Sequence, residues 1–292
     1  MREGSTMPLV LVPTPLGNLR DITLRALDTL RDAELVVAED TRVTQRLFSA
    51  LDLPHKPMWS YREQNAERVT EAILARAANE LVVVVSDAGL PGISDPGRGL
   101  VAAARVAGIG VEVLPGPTAF ACVAVLSGFD LEGFSFEGFV PRQISKRERA
   151  FRDALARGRT SLWYEAPGRI VETLATIERI DASARVFLAR ELTKKFEQQV
   201  LGTAHDVALA LDLPPRGEIA FALEARADNA ARAAILENDE SFERALERAC
   251  ASDERASEIA RRLAERYARE RGDVYDLVVE TRAVLRDARE ET

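Results

Sequence analysis

The chain has 292 residues, 47% of them apolar and 29% charged, with a formal net charge of −8 at pH 7. That length predicts two or three domains, and the balance of apolar and charged residues excludes wholesale disorder. The negative sum argues against indiscriminate nucleic-acid binding, although an RNA partner requires only a local basic face.

Apolar runs such as 81–85 and 101–104 fall far short of a bilayer span, and residues 1–6 lack the apolar core of a signal peptide. A cytoplasmic chain with a short N-terminal tail is expected, Met7 being an alternative start, with no membrane partner. Cys122 and Cys250 lie far apart and read as buried, reduced thiols. His55 and His205 stand at no ligand spacing from a cysteine, so no metal site is expected.

Short apolar runs at 9–12, 35–38, 81–86 and 111–114 read as strands. Helical patterns lie between them. Thr23 caps one with Leu24, Leu27 and Leu30 along a face, and another over 98–107 stops at Gly108. Unbroken apolar strands alternating with helices predict an α/β fold with a largely parallel sheet covered on both faces. A second α/β unit follows a hinge at 128–133, with strands at 134–139, 161–164, 185–189 and 219–223 and helices near 146–156 and 169–177. Beyond about residue 225 the chain becomes rich in Ala, Arg and Glu. Glu258–Arg262 and Glu265–Arg269 read there as helical i,i+4 pairs, and Arg271-Gly272-Asp273 as a break before a last helix. The expected division is a tail 1–6, α/β domains 7–127 and 128–228, and helices 229–292.

Ligands of an open parallel sheet collect beyond the carboxyl ends of its strands. The four strand ends here are followed by Pro13-Thr14-Pro15-Leu16-Gly17-Asn18, by Glu39-Asp40-Thr41-Arg42, by Ser86-Asp87-Ala88-Gly89-Leu90-Pro91-Gly92-Ile93-Ser94-Asp95-Pro96-Gly97, and by Pro115-Gly116-Pro117-Thr118-Ala119. Glycine and proline bring stiff backbone close to a ligand at little entropic cost. One such loop alone is usually a turn; four on one sheet edge point to a site. Asp40, Asp87 and Asp95 place carboxylates there, which suit ribose hydroxyls and a cationic group and repel phosphates. No G-x-G-x-x-G follows the first strand and no P-loop pattern occurs. A nucleoside with a cationic end, such as S-adenosylmethionine, fits that chemistry.

Methyl transfer from a sulfonium to a hydroxyl needs alignment, desolvation and a base. Glu39, Asp40 and Glu191 are candidates for the base. Lys194 and Arg42 are candidates for stabilising an alkoxide or flanking phosphates; the competing reading of each is a salt bridge, Asp40 with Arg42 or Glu191 with Arg190. Arg142, Lys146, Arg147 and Arg149, with Arg152, form the best local basic cluster, either an RNA-phosphate track or a solvated helix face. Trp59, Tyr61 and Trp163 are candidates for base stacking, with core packing favoured for Trp163.

These loops, together with Glu137-Gly138-Phe139-Val140-Pro141, Tyr164-Glu165-Ala166-Pro167, Ala189-Arg190-Glu191-Leu192-Thr193-Lys194 and Gly217-Glu218, resemble in order and spacing the ribosomal RNA small-subunit methyltransferase I family of the tetrapyrrole methylase superfamily. The resemblance covers about residues 9–224. It implies two α/β domains with a donor cleft between them, a small C-terminal helical domain and a homodimer. It also implies an S-adenosylmethionine-dependent enzyme that methylates a cytidine ribose 2′-hydroxyl in small-subunit rRNA, naked or within the 30S subunit. By the family pattern the donor contacts Pro15, Gly17 and Asn18, then Asp87, Ala88, Gly89, Pro91, Ser94 and Asp95, then Pro117, Thr118 and Ala119. Further contacts are implied at Tyr164, Glu165 and Ala166, at Arg190 and Leu192, and at Gly217 and Glu218. Two departures stand out: Gly168 where the family pattern has His, and Gln64-Asn65-Ala66 where it has His-Asn-Glu. A tetrapyrrole methylase and a noncatalytic donor- or ribosome-binding paralogue are the competing expectations.

Overall fold

The structure is a computed structural model that describes residues 9–62, 64–95, 97–212, 214–224, 242–252, 254–267 and 270–290. Two compact units divide the chain at Met1–Ala227 and Asp228–Thr292. The expected N-terminal tail lies outside the described residues.

The first unit contains two five-stranded sheets. In the first, β1 (Leu9–Leu11), β2 (Leu35–Ala38), β3 (Met58–Ser60), β4 (Val82–Val85) and β5 (Val111–Val113) are all parallel, in the order β3-β2-β4-β1-β5. Strand residues alternate faces, and here both faces are covered. Val10, Val36, Ala38, Val83 and Val85 pack with Ala26, Leu30 and Phe48, whereas Leu9, Leu11, Leu35, Val37, Val82 and Val84 pack with Ile73, Ala77, Leu100 and Ala104. Helices α1 (Leu24–Asp32) and α2 (Thr41–Ala50) thus cover one face; α3 (Ala66–Ala77) and α4 (Arg98–Val106) cover the other. Double burial is why these strands read as unbroken apolar runs.

Thr23 caps α1 by accepting the Ala26 amide at 3.0 Å. The apolar face differs from the expected one: Ala26 and Leu30 are buried, but Leu24 is 81% exposed. Two three-residue steps leave Leu24 about 120° round the axis from Leu30 at 3.6 residues per turn. Gly108, at φ +71°, follows the end of α4 as expected. The edge strand β3 was not anticipated, because it is three residues long and only half-buried.

In the second sheet, β6 (Ser135–Phe139), β7 (Ser161–Glu165), β8 (Arg185–Arg190), β9 (Gln198–Thr203) and β10 (Ile219–Leu223) run in the order β6-β7-β10-β8-β9. Only β6 and β7 are parallel; the other pairs are antiparallel. The unexpected strand here is β9, a partly exposed edge whose two glutamines and single glycine carry little apolar signal. Helix α5 (Ala119–Ser127) packs on one face through Val123 and Ala124 against Leu162, Phe187, Ala189, Ala220 and Ala222. On the other side Phe151 of α6 (Ile144–Arg157) lies 5.0 Å from Trp163 and 6.4 Å from Phe221, centroid to centroid. Helices α7 (Ile170–Ile180) and α8 (Ala204–Ala210) complete this unit, α8 starting in a Thr203/Asp206 capping box.

The second unit packs α9 (Phe242–Cys250), α10 (Ala256–Tyr267) and α11 (Arg271–Glu290) through Leu246, Ile259, Leu263, Val274 and Val278. Arg271-Gly272-Asp273 forms the first turn of α11 rather than a break. Arg262 pairs with Glu254 at 2.5 Å instead of Glu258, because Glu254 precedes the helix and accepts two guanidinium hydrogen bonds. The expected Glu265–Arg269 pair lies outside the described residues. Cys250 is buried and Cys122 half-buried, both free thiols. No helix among the described residues is long and apolar enough to cross a membrane.

Candidate active site

The loops after β1 and β4 are zipped together. Thr14 and Gly89 exchange backbone hydrogen bonds of 2.9 and 3.0 Å, and the Thr14 hydroxyl donates to the Ser86 carbonyl at 3.2 Å. Gly89 has φ +79°, and Gly116 passes so close to the Pro13 ring that a Cβ there would lie 2.6 Å from Pro13 Cβ. The Pro13 ring fixes its own backbone, and only a residue without a side chain fits against it at Gly116, itself held between Pro115 and Pro117. The second sheet contributes the opposite wall: the Phe120 amide donates to the Tyr164 hydroxyl at 3.2 Å, and the Asn18 amide donates to Thr193 Oγ1 at 3.1 Å.

Between the walls lies a cavity of about 390 Å³, within the range of roughly 300–1,000 Å³ usual for small-molecule sites. Fourteen of the sequence candidates line it: Glu39, Asp87, Ala88, Gly89, Ser94, Asp95, Thr118, Ala119, Tyr164, Glu165, Ala166, Leu192, Gly217 and Glu218. Leu16, Leu90, Ile93, Phe139, Pro167, Ala189, Ile219 and Ala220 complete the lining. Leu16, Leu90, Ile93, Phe139, Pro167 and Ala189 are apolar members of the motifs themselves, where the polar residues beside them carry the more evident chemistry; Ile219 and Ala220 follow Gly217-Glu218 in β10. Glycine within the β6 run is the one signal, a marker of a bulge, that points toward Phe139.

The lining holds five carboxylates and, among the described residues, no Lys, Arg or His. Glu165 is 2% exposed and committed to structure: it accepts from Thr173 Oγ1 at 2.7 Å, Arg169 at 3.0 Å and the Ala166 amide at 2.7 Å. Glu218 pairs with Lys194 at 3.1 Å. Glu39, Asp87 and Asp95 have no ion-pair partner among the described residues. Burial raises the pKa of Glu39, and the Asp87 charge adds to it. Burial likewise raises Asp87, against the Asp40 amide that donates to its Oδ1 at 3.1 Å. For Asp95, burial and then the Glu39 charge push the value up to about 7. Burial also pushes the Tyr164 phenol up to about 12. Carboxylates gathered where their charge is disfavoured are an arrangement that a positive ligand would relieve.

The remaining candidates lie outside the lining. Asp40 caps α2 through the Arg42 amide at 2.9 Å, and its side chain is gripped by Arg42 at 2.6 Å and Arg62 at 3.0 Å. The Arg42 hydrogen bonds hold its carboxyl well below the usual range, which weakens it as a base relative to Glu39. Arg42 itself is 80% exposed and reaches back to Asp40. Glu191 pairs with Lys194 at 2.9 Å, not with Arg190, and also accepts the Glu218 amide at 3.0 Å. Burial works to raise Glu191, but the Lys194 hydrogen bond and the Glu218 amide prevail and hold it low. Arg190 pairs with Asp212 at 3.2 Å and lines a separate depression with Glu191. Gly17 leaves space for the Lys194 stem, which a Cβ there would strike, so this lysine passes beside the first loop and places its ammonium on Glu191 and the lining residue Glu218. Pro15, Asn18, Pro91 and Pro117 belong to the loops that frame the cavity without facing it.

Two expectations for nucleic-acid contact are corrected. Arg147 is 1% exposed and donates to Glu172 at 2.5 Å, because it sits on the face of α6 that packs against α7; it is not available to RNA. Arg142, Lys146 and Arg149 remain exposed. Tyr61 is buried, so it cannot stack on a base; Trp163 is buried with its indole N–H donating to Ser161 at 2.9 Å, and half-buried Trp59 lies under Arg76.

A family model described as Tetrapyrrole (Corrin/Porphyrin) Methylases matches residues 8–208. Ribosomal RNA small subunit methyltransferase I of Thermotoga maritima is 39% identical over 220 residues, covering 75% of this chain and 98% of its own length. The protein of the same name from Synechocystis sp. is 37% identical over 278 residues, covering 94% and 98%. The chain belongs to the ribosomal RNA small subunit methyltransferase I family. Its fold is shared more widely: diphthine synthase superposes with a TM-score of 0.60 at 15% identity, covering 79% of this chain and 94% of that one. Uroporphyrin III C-methyltransferase from Thermus thermophilus superposes with 0.53 at 22%, covering 74% and 97%.

The two departures from the methyltransferase I pattern now have places. Gly168 lies in the turn Pro167–Arg169 beside the lining residue Pro167, and a Cβ there would meet open space. In the second, the departing residues are exposed Gln64 and half-buried Ala66, the first residue of α3; the shared Asn65 between them donates to the Ser60 carbonyl at 2.9 Å and accepts from the Arg62 amide at 2.7 Å.

Proposed function

We propose that this chain transfers a methyl group from S-adenosylmethionine to the ribose 2′-hydroxyl of a cytidine in small-subunit ribosomal RNA, as a cytoplasmic homodimer. The observation that carries the reading is a cavity rich in carboxylates and without a cation in its described lining. Phosphate-bearing cofactors would be repelled from it, and a nucleoside with sulfonium and ammonium charges would be drawn in. The family names of the relatives supply the RNA acceptor. The exposed outer face of helix α5, apolar from Ala119 to Leu126 and carrying Val125 and Leu126, supports self-association.

When bound, the donor supplies an electrophilic methyl on a positive sulfur. Asp87 and Asp95 hold its cationic end, while the stiff β1 and β4 loops align it and exclude water. Of the three base candidates, Glu39, Asp40 and Glu191, only Glu39 lines the cavity and has a raised pKa, so it takes the hydroxyl proton in this reading. Arg142, Lys146 and Arg149 contact flanking phosphates.

Tritium from labelled donor should enter small-subunit rRNA or 30S subunits, and one phosphodiester should become resistant to alkali, as a 2′-O-methyl group requires. Label entering a precorrin instead, or binding without transfer, would overturn the assignment.

A pH dependence follows from Asp95. A cationic ligand favours the ionised carboxylate, so donor affinity should rise between pH 6 and 8 with release of a proton, measurable by calorimetry in two buffers; Asp95→Asn should flatten the dependence. The ligand-free protein should behave oppositely. The folded pKa of about 7 exceeds the unfolded value near 3.9, so this contribution to stability is complete below about pH 4 and is lost as pH rises through 7.

A further inference from the structure

The β6 strand carries Phe136, Glu137, Gly138 and Phe139, which in a regular strand would send Phe136 and Phe139 to opposite faces. They lie on the same face. The register pairs Phe136 with Leu162, Gly138 with Trp163 and Phe139 with Tyr164, leaving Glu137 unpaired in a bulge where Gly138 takes φ +73°. Both phenylalanines consequently meet Tyr164 edge-on, with ring centroids 5.0 and 5.6 Å away. Phe120 stacks behind Phe136 at 4.5 Å. An aromatic row therefore runs out of the core and ends at Phe139, which lines the cavity and is 58% exposed. Bulges near active sites characteristically re-aim one side chain. Here the side chain re-aimed is a large apolar ring, held toward solvent at the mouth by a packed neighbour.

We propose that Phe139 is the platform on which the base of the nucleotide undergoing methylation stacks; this rests on the functional reading above. Two features favour the acceptor base over the donor's adenine. The unpaired carboxylates that would hold the donor's cationic end, Asp87 and Asp95, both belong to the loop after β4 in the first sheet, whereas Phe139 belongs to an edge strand of the second. Phe139 is also 58% exposed, so its ring is open to a polynucleotide coming from solvent. A polynucleotide arrives from solvent, and a single unstacked base finds a π face waiting.

Steady-state methyl transfer to small-subunit rRNA should be compared for wild type, Phe139→Ala, Phe139→Leu and Phe139→Tyr, alongside calorimetric affinity for S-adenosylhomocysteine. Phe139→Ala and Phe139→Leu should raise the KM for RNA about tenfold or more, a typical loss for one base–aromatic stack. Phe139→Tyr should remain close to wild type, and product affinity should be unchanged throughout. Thermal unfolding checks that each variant is folded. A leucine variant equal to wild type reduces Phe139 to apolar filling, an alanine variant equal to wild type removes it from recognition, and a parallel loss of S-adenosylhomocysteine affinity moves it to the donor; each overturns the proposal. A wild-type protein that labels no RNA removes the functional reading itself, a result separable from all of these.

Discussion

Replacing Asp87 and Asp95 together by asparagine should raise the donor's dissociation constant at least about a hundredfold while leaving the fold as stable as wild type or more so. The affinity loss follows from removing two charge-assisted contacts, each contributing about 1.5–3 kcal/mol. The stability gain follows because burial and neighbouring carboxylates already disfavour both charges in the ligand-free protein. Asparagine keeps an oxygen to accept the Asp40 amide, so the loop retains its anchor. Opposite signs for affinity and stability are what a site built for a cation requires. Calorimetry for binding and thermal unfolding for stability measure the two; a variant that binds normally, or loses binding only because it unfolds, would count against the acidic cavity as the donor site.

The second large effect is expected at Glu165. Its side chain is 1% exposed, and it binds Arg169, the Thr173 hydroxyl and the Ala166 amide at once. Arg169 extends the same network to the Val140 and Pro141 carbonyls, tying the ends of β6 and β7 together beneath the cavity. Glu165→Ala takes the carboxylate from Arg169, which keeps the Val140 and Pro141 carbonyls, and leaves the buried Thr173 hydroxyl without its acceptor; it should destabilise the protein by about 2–3 kcal/mol. Arg169→Ala in that background should cost much less than in wild type, because the interaction it would break is already gone. Denaturant unfolding of the two single variants and the double variant gives the coupling; additive losses would show that the residues do not act together.

The parallel sheet and the loops at its carboxyl ends were legible because the signals are local and doubled. Valine-rich runs buried on both faces have no polar interruption, and glycine, proline and aspartate crowd the positions just beyond them. That is also why fourteen candidate residues converge on one cavity. What escaped depends on partners far away in sequence. The basic pattern of α6 does not say that Arg147 faces α7 and Glu172. The pairing of Asp40 with Arg42 is one of its two readings in the sequence, but the second guanidinium on it, Arg62, lies 22 residues on. Lys194 is committed to Glu191 and Glu218, and Gly17 makes room for its stem. Phe139 escaped for another reason: a single unpaired residue inverts the face that strand alternation assigns to it.

The one-sided charge of the cavity bears on turnover in the proposed reaction. Transfer of the methyl group converts a sulfonium into a neutral thioether, so the spent molecule carries one positive charge fewer past the same unpaired aspartates. Attraction thus weakens at the moment the chemistry is complete. The lining that concentrates fresh donor thereby hastens departure of the spent one, and exchange of the two between cycles needs no moving part.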